Sequence, residues 1–127
     1  MAAPAVLLVD AHEDSRLIYA ACLRHHGVAV VANECFVAAV ETARTVKPRV
    51  IVLALSYASG PGWTALRTLK EDPATAGIPI LAVSTTGLAE HRERAFAMGC
   101  AAFFVKPLPP LDLLNAALGL LSGAAVA

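Results

Sequence analysis

The sequence predicts an α/β fold, a doubly wound parallel sheet with helices packed on both faces. Two observations carry this expectation. Five short apolar runs, rich in leucine or β-branched residues, alternate with five longer amphipathic segments. The runs are nearly unbroken by polar residues, as strands buried on both faces require. Regular β-α alternation then sets parallel strands side by side, joined by crossover helices.

The elements follow in order. Residues 5–9 form the first apolar run, which ends at Asp10. Asp14 is read as the N-cap of a helix over 15–26, closed by Gly27. The second run is 28–31, and a helix over 36–46 follows, stopped by Pro48. The third run is 50–55, and a loop rich in Gly, Ser and Pro covers 56–62. Trp63 opens a helix over 63–70 as a packing residue, and Asp72-Pro73 stops it. The fourth run is 78–83, followed by a helix over 88–98 that ends at Gly99. The fifth run is 101–105, and the last helix, 111–121, follows Pro109-Pro110. The small residues of 122–127 are expected to fray.

Composition sets limits on function. The 127 residues suit one domain, 1–127, with its core over about 5–121. Ten basic side chains balance ten acidic ones, so no net field draws the chain to nucleic acid or to an anionic membrane. Neither partner is expected. Cys22, Cys35 and Cys100 are odd in number and contain no C-x-x-C pair, which predicts free, buried or half-buried thiols in a reducing compartment. The apolar N-terminus lacks a basic region and runs straight into Asp10, which reads as a strand and not a signal peptide. Asp112 and Asn115 interrupt the C-terminal apolar stretch, so no membrane span is expected and the location is taken as cytoplasmic.

Open α/β sheets bind ligands at the carboxyl ends of their strands. The residues there are Asp10, Ala54 to Ser56, Ser84 and Lys106. An acid, a hydroxyl and a lysine converging from distant positions can bind or transfer a phosphoryl group.

Ordered segments then give a specific resemblance. V-L-L-V-D at 6–10, K-P-R-V-I-V-L-A-L at 47–55, L-K-E-D-P-A-T-A-G-I-P-I at 69–80, V-S-T at 83–85 and M-G-C-A-A-F-F-V-K-P-L at 98–108 follow one another at family spacing. Together with Gly62-Trp63 they make the chain resemble a receiver domain of two-component response regulators over about 5–118. The resemblance implies a flavodoxin-like (βα)5 sandwich with a five-stranded parallel sheet in the order 2-1-3-4-5. It also implies phosphoryl transfer to an aspartate, assisted by Mg²⁺, an acidic pair, a lysine and a switch hydroxyl.

The chain departs from that pattern at the chemistry. Ala54 stands where the resemblance places the phospho-acceptor, and Ala11 where it places the second acid of the pair. Phe103 replaces the usual switch tyrosine, and the loop after the acceptor position is altered. Asp10, Ser84, Lys106 and Pro107 remain, with a cis Lys-Pro bond implied by the resemblance. Asp10 is expected to pair directly with Lys106, leaving a nearly neutral pocket in which Mg²⁺ binding is lost and no metal or cofactor is expected.

The expected function is therefore a non-enzymatic pseudo-receiver that works through protein contact without aspartyl phosphorylation. Its partner, or a second copy, would dock on the face formed by helix 88–99, strand 101–105 and helix 111–121, whose leucines exceed one buried stripe. The alternatives are phosphorylation at Asp10 or a loop serine, and a small-ligand domain of flavodoxin type. The last lacks a Gly/Thr/Ser-rich phosphate cradle at 10–15. His12, Glu13 and Asp14 are read as a solvated loop and cap, and His25-His26 as matched to the negative end of their helix.

Overall fold

Continuous apolar runs can be satisfied only where both faces of a strand are covered. The computed structural model, which describes residues 5–56 and 60–123, covers them in that way. Strands β1 (Val6–Val9), β3 (Val50–Leu55) and β4 (Ile80–Ser84) are buried at every position. Strands β2 (Val30–Asn33) and β5 (Ala102–Val105) form the edges and are partly exposed. All pairings are parallel, in the order β2-β1-β3-β4-β5.

Alternation along the strands splits the interior into two cores. Val6 and Leu8 face α1 (Glu13–His25) and α5 (Pro110–Leu121), where Tyr19, Leu23, Leu113 and Ala117 pack. Leu7, Val9, Ile51 and Leu53 face α2 (Phe36–Val46), α3 (Pro61–Glu71) and α4 (Ala89–Ala97), where Trp63, Leu66 and Ala95 pack. Each fully buried leucine or valine contributes roughly 1.5–3 kcal/mol of transfer free energy.

Several boundaries differ from the sequence reading for local reasons. Asp14 is not the N-cap of α1. That place belongs to His12, whose Nδ1 accepts from the Ser15 amide at 3.4 Å, and Asp14 lies in the first turn. Asp10 draws the chain into the helix early, because its carboxylate accepts from the His12 amide and its carbonyl from Arg16. Glu13 and Asp14 then sit near the positive end of the helix dipole.

Strand β2 starts at Val30, because Val28 closes the turn after α1 through its amide to the Leu23 carbonyl at 3.0 Å. Gly27, at φ 82°, supplies the left-handed residue there. Helix α3 begins at Pro61, before Trp63, as a first-turn proline allows. Trp63 is nonetheless buried, as a packing residue should be. Cys22 is half-buried and Cys100 buried, but Cys35 is exposed, because it sits at the N-cap position of α2, just after edge strand β2, and its side chain makes no capping hydrogen bond. The His26 ring meets the Cys22 carbonyl at 2.9 Å, in the last turn of α1. Positions 57–59 of the altered loop, and most of the tail expected to fray, lie outside the described residues. Among the described residues, no helix is long and apolar enough to cross a membrane.

Candidate functional site

The carboxyl ends of β1, β3, β4 and β5 meet at one edge of the sheet. Asp10 follows β1 and is only 4% exposed. Its Oδ1 accepts the His12 amide at 2.9 Å, and its Oδ2 accepts from Lys106 Nζ at 2.9 Å. The direct Asp10–Lys106 pair therefore forms as the sequence suggested. Lys106 also donates to Ser15 Oγ at 3.2 Å, and its amide donates to the Ser84 carbonyl at 2.8 Å. The Lys106–Pro107 peptide bond is cis.

Val9 pairs with Leu53 in the β1–β3 register, so Asp10 and Ala54 stand beside each other at the next position. Ala54 is buried and brings a methyl group where the resemblance places a carboxylate. Ala11 is exposed at the rim. Gly62 packs against the same strand end: a Cβ there would lie 2.4 Å from the Ala54 carbonyl oxygen. The pocket thus holds one carboxylate opposite one ammonium.

Ser84 closes β4 fully buried, and its hydroxyl accepts the Thr86 amide at 3.1 Å. Thr86 Oγ1 in turn lies 2.5 Å from Nδ1 of buried His91, whose ring meets Trp63 edge-on at 6.3 Å. The Thr85 amide donates to the Leu55 carbonyl at 3.1 Å, tying this loop to β3. Phe103 is buried in β5 with the Arg92 guanidinium 6.0 Å from its ring centre.

Sequence reasoning did not single out Ser15, Tyr19 or Thr86, and did not anticipate that His91, on the charged helix 88–99, would be buried. The Tyr19 hydroxyl donates to the Leu108 carbonyl at 2.9 Å and so joins α1 to the loop after Pro107. Burial, with the nearby Asp10 charge, raises its pKa above the ordinary tyrosine value. Polar residues at buried helix positions were the available signal for Tyr19 and His91. None existed for Ser15, whose role depends on how Lys106 reaches across the sheet edge. Over these residues opens a cleft of about 820 Å³, walled by Ile18, Tyr19, Phe36 and Leu108.

This arrangement defines a class. The chain belongs to the response regulator receiver domain family, whose model matches residues 6–118. It is a receiver domain of two-component signal transduction, and such domains act by contact with other signalling proteins. Its fold is similar to that of the chemotaxis protein CheY4 of Vibrio cholerae, with TM-score 0.84 and 23% identity over 94% of this chain and 99% of that one. A response regulator from Desulfuromonas acetoxidans gives TM-score 0.82 and 24% identity over 92% and 95% of the two chains. The receiver domain of a signal transduction histidine kinase from Syntrophus aciditrophicus gives 0.82 and 21% over 98% and 95%. No curated protein matches the chain in sequence.

Proposed function

We propose that this receiver domain acts in the cytoplasm as a phosphorylation-independent protein-interaction module without enzymatic activity. The carrying observation is Ala54. A phospho-acceptor needs a nucleophilic oxygen, and an alanine methyl has none. Mg²⁺ fits poorly as well. It takes hard oxygen ligands in a near-octahedral shell. Among the described residues, Asp10 is the only carboxylate lining this cleft, and both its oxygens are already engaged. The same engagement weighs against Asp10 as a substitute acceptor.

Interaction is assigned to the face of α4, β5 and α5. Leu88, Phe96, Val105, Leu111 and Leu118 are all substantially exposed there, beside Arg92. An apolar face of this kind suits a protein partner or a second copy. With the phosphate switch gone, its output follows the abundance of its partner.

Incubation with acetyl phosphate and Mg²⁺, followed by intact-mass measurement, tests the reading. No mass change is expected; a gain of one phosphoryl group would overturn it. Size-exclusion chromatography with light scattering, on the parent chain and on Leu111→Asp, then separates self-association from a need for another protein.

A further inference from the structure

We propose that the cleft beside Asp10 and Ala54 binds a small, flat, apolar molecule carrying one anionic head. The inference rests on reading the pocket as released from phosphoryl chemistry. The cleft, about 820 Å³, lies within the range of small-molecule sites, roughly 300–1,000 Å³. Its composition selects the ligand. Ala11 and Ala54 place methyl groups where carboxylates would make the pocket polar and acidic. Ile18 from α1 and Phe36 from the start of α2 stand as apolar walls, and Ile18 is 54% exposed. A ring system covering them gains roughly 25 cal/mol per Å² of apolar surface removed from water.

Charge sets the head group. Asp10 and Lys106 cancel at 2.9 Å, so the pocket exerts little net pull on a dianion such as free phosphate. An ammonium has three N–H donors. Among the described residues, Lys106 commits two of them, to Asp10 and Ser15. One is left for an acceptor on the ligand, which matches a single anionic oxygen. The apolar walls supply most of the affinity and the lysine supplies orientation.

The test uses the full chain and the dye 8-anilinonaphthalene-1-sulfonate, an aromatic monoanion of the stated class. Titration is expected to give saturable, one-to-one fluorescence enhancement. Ile18→Lys, Ala54→Asp and Lys106→Met should each weaken binding about tenfold or more, with inorganic phosphate a poor competitor. Amide chemical shifts recorded on the parent chain should move at Asp10, Ala11 and Ala54, a readout that does not depend on any variant folding. The proposal fails if binding survives Ile18→Lys and Ala54→Asp, or is lost only in Leu118→Lys, since the dye would then sit on the α5 face. It fails equally if no saturable binding occurs. Dye binding and acetyl-phosphate labelling are separate readouts: absent dye binding leaves the functional reading standing, and phosphorylation overturns that reading whatever the dye does.

Discussion

Restoring a carboxylate at residue 54 perturbs the site most informatively. Neighbouring strands lie about 4.8 Å apart, and the β1–β3 register sets residue 54 directly beside Asp10. In Ala54→Asp, two carboxylates about 5 Å apart would repel by roughly 3 kcal/mol at an effective dielectric of 20. Lys106 is already paired with Asp10 and offsets only part of this. A net destabilisation of about 2 kcal/mol at neutral pH is expected, lowering the urea midpoint by about 1 M. The penalty fades on acidification. Repulsion raises the folded-state pKa of the new acid, so protonating it removes the penalty, and the gap to the parent should close at low pH. Adding Ala11→Asp and Mg²⁺ should recover stability, because the cation then has carboxylates to bridge. Urea titrations at neutral and acidic pH, with and without Mg²⁺, measure all of this. If Ala54→Asp matches the parent at neutral pH without metal, the electrostatic account of the pocket is wrong.

Other expectations follow from single contacts. Gly62→Ala should cost about 1–3 kcal/mol despite alanine's better helix propensity, since its Cβ would lie 2.4 Å from the Ala54 carbonyl oxygen and 3.2 Å from Leu55 Cδ2; a urea titration checks it. Alkylation of the native chain at mildly alkaline pH should modify Cys35 first and Cys100 last by peptide mass mapping, because burial pushes the Cys100 thiol up to about 12. Asp72 accepts the Ala74 amide and pairs with Arg44, which holds its pKa below the ordinary 3.8. Its contribution to stability is thus present above 3.8 and is lost as pH falls through the depressed value. An NMR titration should show the lowered midpoint in the parent and an upward move in Arg44→Ala.

The sequence was most legible where one signal acted alone. Helix α2 and strand β3 start and end at the residues expected, because Pro48 and an unbroken apolar run leave no competing choice. Boundaries slipped where two signals competed. At α1, Asp10 outbid Asp14 by binding the His12 amide, and at β2 the turn after Gly27 consumed Val28. Within the site, Asp10, Ala54, Ser84 and Lys106 were readable because strand ends follow from the fold class. The Thr86–His91–Trp63 arrangement and the Tyr19–Leu108 bond were not, since they depend on how loops cross after the strands are laid down. Exposure of Cys35 escaped for the same reason: residue type predicts average burial, and a helix start at a sheet edge overrides it.

The contact between Asp10 and Lys106 joins residues 96 positions apart. Ser15 reaches the same lysine across 91 positions, and Tyr19 bonds Leu108 across 89. These links fasten the first quarter of the chain to its last, with β3 and β4 lying between β1 and β5. Closing so long a loop costs entropy that grows with its length, so such links form only once the intervening sheet exists. The Asp10–Lys106 pair and its neighbours thereby act as a clasp. Loosening it should speed unfolding while leaving the folding rate nearly unchanged, and a nascent chain completes it only after Lys106 has left the ribosome.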